Sequence, residues 1–238
     1  MTELFIFGGR TRLARELHLR ATQAGLSTFV LCATAAERAL LREHYPDDAI
    51  VADLPTSSGH IAIVMCALGL VHPASPDPER HLGAFIAECR YLSELVSAYD
   101  GNIHFVLVST VIALLPPRER AYYAAFKNLA EATAAATSRT HPGSLFSVLY
   151  PGHLVDKRGG HGMSSRLATP YASLVLQLLK TIRSRKQIAR VVGVDARLWL
   201  VARAFSLLAS ALRPGLPSTP TESRDGGPTQ AVKNSVRR

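Results

Sequence analysis

Glu3–Ala14 reads ELFIFGGRTRLA, a short apolar run that stops at Gly8-Gly9 and gives way to a helical pattern. Five largely apolar positions bounded by glycine predict a buried strand. From Thr11 to Ala24, Leu13, Leu17, Leu19 and Ala21 recur at roughly helical spacing, and Gly25 follows as the C-cap.

The alternation continues outward from this first unit. Thr28–Cys32 (TFVLC), Ala49–Ala52 (AIVA), Ile61–Ala67 (IAIVMCA), His104–Val108 (HFVLV) and Leu145–Leu149 (LFSVL) predict five more strands. Helices are expected over Ala35–His44, Arg80–Ala98 and Tyr122–Ser138. Strands that are apolar throughout and separated by helices imply a parallel sheet covered on both faces. Right-handed crossovers then give an α/β fold, a Rossmann-type doubly wound parallel sheet. Ligands of such sheets sit beyond the carboxyl ends of the strands. Those ends are Gly8, Cys32, Asp53, Gly69, Ser109-Thr110 and Pro151-Gly152.

The chain has 238 residues, 47% hydrophobic and 19% charged, which suits one folded domain with a full core. The expected division is a nucleotide-binding domain over 1–195, an amphipathic helix over 196–213 and a disordered Pro/Ser/Gly-rich tail over 214–238. A net charge of +9 admits nucleic acid, an anionic membrane or a phosphorylated ligand as partner. Cys32, Cys66 and Cys89 are odd in number and widely spaced, so neither a disulfide framework nor a zinc site is expected, and a reducing cytoplasm is the default. No secretory signal and no apolar stretch of about 20 residues is apparent. No pair of histidines has metal-ligand spacing, and no metal is expected.

Tyr123-Ala124-Ala125-Phe126-Lys127 sits in the helix behind the strand that ends in Ser109-Thr110. Residues four apart share a helix face, so Tyr123 and Lys127 project together. An ammonium beside a phenol favours phenolate and would lower the tyrosine pKa from about 10. Tyr122 has no lysine four residues on and is expected to pack or line a pocket.

The combination of Ser109-Thr110, this Tyr123/Lys127 pair and Pro151-Gly152 resembles the short-chain dehydrogenase/reductase family over about residues 1–195. The resemblance implies an NAD(P)-dependent oxidoreductase that interconverts a carbonyl and a secondary alcohol. Tyr123 would be the acid/base, Lys127 would lower its pKa and hold the nicotinamide ribose, and Thr110 or Ser109 would hold the carbonyl oxygen. Thr110 precedes Tyr123 by thirteen positions, similar to the compact members; Ser109 is one further. The nucleotide seat would comprise Gly8, Gly9, Arg10, Thr11, Arg12, Asp53, Leu54 and Gly69, with Pro151, Gly152 and Lys127 beside it. The second strand ends in Cys32-Ala33-Thr34 without an acid, and Arg10, Arg12 and Arg38 stand nearby. This tilts the cofactor toward NADP(H) over NAD(H).

Several positions depart from the family's pattern. Thr11 or Arg12 stands where the middle glycine belongs, and Ala14 where the last does. Cys66-Ala67-Leu68-Gly69 replaces an Asn-Asn-Ala-Gly run. Arg80–Ala98 has no asparagine, and Glu88 and Cys89 lie near that position. A nucleotide-binding regulatory or interaction protein that has lost catalysis is therefore the alternative.

His153 could touch substrate, and Lys157, Arg158 and His161 fall in a Gly-rich lid segment. Ala196–Leu212 is strongly apolar and follows the basic cluster Arg183–Arg190. A core or dimer-interface helix fits it. So does a basic amphipathic helix, with 183–213 touching the inner face of a membrane and an amphiphilic substrate. Nucleic acid fits poorly, because no aromatic stacking platform accompanies the charge.

Overall fold

The computed structural model describes residues 2–55, 59–68, 77–156 and 167–211. Seven parallel strands form one sheet in the order β3-β2-β1-β4-β5-β6-β9. The strands are β1 (Glu3–Phe7), β2 (Thr28–Leu31), β3 (Ile50–Val51), β4 (His60–Met65), β5 (Asn102–Val108), β6 (Leu145–Pro151) and β9 (Ala189–Val192). β7 (Leu154–Val155) and β8 (Thr169–Pro170) make a separate parallel pair. The helices are α1 (Arg12–Gln23), α2 (Ala35–Leu41), α3 (Pro78–Ser97), α4 (Ala121–Thr140), α5 (Tyr171–Ser184) and α6 (Val194–Ala211). The chain starts mid-sheet, winds outward through β2 and β3, and returns to β4 beside β1. Topology thus reverses between β1 and β4, where an open parallel sheet leaves its ligand crevice.

Period-two alternation loads both faces of the sheet. Phe5, Ile61, Ile63, Met65, Phe105 and Leu107 face a core closed by Leu92 and Val96 of α3 and Ala130 and Ala134 of α4. Leu4, Ile6, Ala62, Val64, Val106 and Val108 face the other core, closed by Leu13, Leu17 and Ala21 of α1 and Leu174, Val175 and Leu178 of α5. Each such side chain contributes roughly 1.5–3 kcal/mol when taken fully out of water. His104 is fully buried among them and shares a 2.9 Å hydrogen bond with Ser147 Oγ. Burial first, and His60 second, push its pKa down to about 4, so it is neutral in the fold.

The sequence reading assigned no element between the lid segment and Ala196, yet α5 and β9 lie there. The α5 pattern is legible in retrospect: Leu174, Val175, Leu178, Leu179 and Ile182 form one buried face. β9 is harder to read, because it is an edge strand of four residues with Ala189 and Arg190 exposed. α6 begins two residues before the expected start. Val194, Leu198, Val201, Phe205 and Leu208 are exposed on it. No helix among the described residues is long and apolar enough to cross a membrane. The expected tail over 214–238 lies outside the described residues.

Candidate active site

The C-terminal ends of β1, β4, β5 and β6 and the N-terminal ends of α1 and α4 share one edge of the sheet. β5 keeps its ladder one residue past its end, with the Ser109 N–H donating to the Leu149 carbonyl at 2.9 Å. Thr110 then turns the chain, its Oγ accepting from the Ile112 N–H at 3.4 Å to open a short 3-10 turn. A second such turn, Arg118–Arg120, leads into α4.

The two hydroxyls left open by sequence have different surroundings. Ser109 Oγ is buried without a hydrogen-bond partner among the described residues. Thr110 lines the cavity at this edge and hydrogen-bonds Tyr123. One turn of α4 separates Tyr123, half-buried at the cavity, from Lys127, which is 4% exposed. Lys127 Nζ lies 6.0 Å from the centroid of the Tyr123 ring and donates to the Leu68 carbonyl at 3.3 Å.

Burial raises the Tyr123 pKa above its ordinary value, opposed by the Thr110 hydrogen bond and then by the Arg120 guanidinium. This corrects the expectation of a pKa lowered by Lys127: in the fold the phenol stands above its ordinary value, and the ammonium is directed at the exit of β4. Burial pushes the pKa of Lys127 itself down to about 8, opposed by Glu88 and then Cys66. Tyr122 packs away from the cavity edge, its hydroxyl 2.9 Å from His81 Nδ1 and its ring 5.1 Å from that of Phe126.

The cavity has a volume of about 670 Å³. Tyr123, Thr110 and Arg120 line one side, and Leu154, Leu167 and Tyr171 another, so a cleft opens between Tyr123 and the described residues Leu154 and Leu167. Leu198 and Trp199 of α6 complete it, and His153 reaches it. Asp195 ties these walls together: its carboxylate accepts from the His153 N–H at 2.7 Å and the Thr169 hydroxyl at 2.8 Å. Its side chain lies where a Cβ on Gly152 would stand, so only glycine fits after Pro151.

On the nucleotide side, Gly8 has φ +82°, and a Cβ there would come within 2.5 Å of the Ala67 Cβ. The Gly8 carbonyl accepts from the Thr11 N–H and hydroxyl, and Thr11 Oγ caps α1 by accepting from the Ala14 N–H at 3.2 Å. Gly9 is packed under Val30 and Leu41, with its carbonyl bound by the Tyr45 hydroxyl at 2.7 Å. Arg10 is exposed. Arg12 pairs with Asp156 at 2.7 Å and lies over the Tyr171 ring. Arg38 donates to the Ile50 carbonyl at 2.7 Å, so the structure ties it to the sheet and not to the turn, contrary to its reading as a phosphate-side arginine. Asp53 and Leu54 border a separate cavity of about 140 Å³ with Tyr91 and Glu94. Gly69, Lys157, Arg158 and His161 lie outside the described residues.

Sequence reasoning missed Arg120 and Asp195. Arg120 had a signal, since it stands one helical turn before Tyr123. Asp195 had none, because its partners are far away in sequence.

No protein-family model matches the chain, and no curated protein is significantly similar to it. Solved structures do share its fold. A short-chain dehydrogenase/reductase from Vibrio parahaemolyticus is 15% identical, with a TM-score of 0.55, covering 79% of this chain and 98% of that one. A human epimerase family protein solved with NADPH is 12% identical, with a TM-score of 0.56, covering 81% and 74%. A Bordetella bronchiseptica enzyme solved with NAD+ is 14% identical, with a TM-score of 0.51, covering 90% and 83%. The chain therefore has the Rossmann-type fold of these proteins.

Proposed function

We propose that this chain is a nicotinamide-dependent oxidoreductase of the short-chain dehydrogenase/reductase type, interconverting a carbonyl and a secondary alcohol, with NADP(H) preferred. The observation that carries the reading is the pairing of Tyr123 with its hydrogen-bonded Thr110 on one cavity at the strand ends, with buried Lys127 one helical turn behind Tyr123.

The residues fit a dinucleotide. Thr11 takes only the Ala14 N–H, and the first-turn N–H groups of α1 stand at the ligand edge of the sheet, where phosphates bind. Ala14 is fully buried in the α1 core, so its methyl does not fill the turn. Arg10 and Arg12 supply positive charge for a phosphorylated ribose, while Arg38 does not. A bound nicotinamide supplies the hydride, which no side chain can.

The chain's own residues move and place the proton. Tyr123, held above its ordinary pKa, keeps its phenolic proton at neutral pH and gives it to the substrate oxygen. That protonation state suits carbonyl reduction better than alcohol oxidation. Thr110 hydrogen-bonds the same oxygen. Lys127, one helical turn from Tyr123, would hold the ribose of a bound nicotinamide nucleotide.

A second reading, a nucleotide-binding protein without turnover, has one observation in its favour: the Tyr123 pKa is raised and not lowered in the fold. Titration with NADPH followed by absorbance assays against a carbonyl panel separates the two. Binding with turnover supports the first reading, binding without turnover the second, and no binding overturns both.

A further inference from the structure

We infer that the cavity at Tyr123 takes an amphiphilic carboxylate, with its anionic group on Arg120 and its aliphatic body against Leu154, Leu167 and Trp199. That this ligand is also the substrate rests on the oxidoreductase reading; that the cavity binds it does not.

Among the described residues lining the cavity, Arg120 and Asp195 are the charged side chains, beside His153. The two carboxylate oxygens of Asp195 already accept from the His153 N–H and the Thr169 hydroxyl. Asp195 therefore has acceptor sites already occupied, whereas the Arg120 side chain has no hydrogen-bond partner among the described residues. Arg120 is exposed and close enough to Tyr123 to act on the phenol electrostatically. An exposed guanidinium costs little to bring against an anion, and it binds carboxylates by paired, charge-assisted hydrogen bonds.

Size and lining set the rest of the ligand. About 670 Å³ accommodates a medium-sized organic molecule. Leu154, Leu167, Leu198 and Trp199 supply apolar wall, and no charged group among them would resist an alkyl chain. Arg120 is the N-cap of α4, three positions before Tyr123, and both side chains line the same cavity. A ligand touching both bears its carboxylate a few bonds from its carbonyl. An oxo acid with an aliphatic body meets these conditions.

Trp199 is the only tryptophan in the chain and lines this cavity, so its emission reports occupancy without any nucleotide. The full-length, nucleotide-free protein is titrated with octanoate, 1-octanol and octylamine. Octanoate should bind at least about tenfold more tightly than 1-octanol, as one charge-assisted contact allows, and octylamine most weakly. Arg120→Gln should remove the octanoate preference while changing 1-octanol binding by less than about twofold, and Arg120→Lys should keep part of it. Equal affinity for octanoate and 1-octanol in the wild type overturns the inference, as does an undiminished preference in Arg120→Gln. Failure of the oxidoreductase reading is seen separately, as absent NADPH binding or turnover, which these nucleotide-free titrations do not measure.

Discussion

Lys127 and Tyr123 share one face of α4, yet their polar ends answer to different parts of the fold. Lys127 Nζ donates to the Leu68 carbonyl at the exit of β4, and the Tyr123 phenol is bonded to Thr110 at the exit of β5. The ammonium lies over the ring, 6.0 Å from nitrogen to centroid, while the two polar ends are bonded to different groups. This separation of tasks makes them separable by mutation.

Tyr123→Phe removes the proton donor and leaves the ring in place. The proposed reductase should lose about 10²–10⁴-fold in kcat, the usual contribution of a positioned general acid. NADPH affinity, read from nucleotide fluorescence, should stay near wild type. Retained turnover would defeat the proposed role of Tyr123.

Lys127 carries a pH signature in stability. Its pKa is about 8 in the fold against 10.5 for the free group, so the unfolded chain binds more protons between these values. Stability from this residue therefore rises with pH from about 8 and levels off above about 10.5, by about 3 kcal/mol in all. Urea denaturation of wild type and Lys127→Met across pH 7–11 isolates it: the wild type should gain on the variant through that window. A difference independent of pH would mean the ammonium is not buried as described.

Gly8 and Gly25 both have positive φ, but only Gly8 is crowded. Gly25→Ala should cost about 1–2 kcal/mol from backbone strain alone. Gly8→Ala should add roughly 1–3 kcal/mol for the collision with Ala67. Equal losses in chemical denaturation would show that β1 and β4 do not approach as closely at their ends as they do in this fold.

Asp195→Ala leaves the His153 N–H without its acceptor and the Thr169 hydroxyl with the Val192 carbonyl at 3.5 Å. Loosening the wall over Gly152–Leu154 should raise KM for a carbonyl substrate several-fold more than the NADPH dissociation constant. A global loss of about 1–3 kcal/mol accompanies the orphaned donor. An unchanged KM would place Asp195 outside the cavity wall.

Arg12 and Asp156 are both more than half exposed, so their ion pair should contribute less than about 1 kcal/mol. Arg12→Ala should leave the Tm nearly unchanged and weaken NADPH binding more than NADH binding. Equal loss for both nucleotides would remove Arg12 as the source of the proposed NADP preference.

The sequence by itself determined six of the seven strands of the main sheet and one edge of its chemistry. Continuous apolar runs such as Ile61–Ala67 are strands because only a strand buried on both faces needs side chains of one kind on alternate sides. The same runs place Gly8, Thr110 and Gly152 at strand ends, and helical spacing puts Tyr123 and Lys127 on one face. Tertiary structure decided what those residues touch. Thr110 rather than Ser109 meets Tyr123 because the chain turns outward one residue past the ladder. Asp195 reaches His153, and Arg12 reaches Asp156, across long stretches of sequence that pack together only once α5 and β9 have closed the sheet. Contacts of that range depend on packing distance, which no local spacing encodes, and so the cavity wall could be read only from the folded chain.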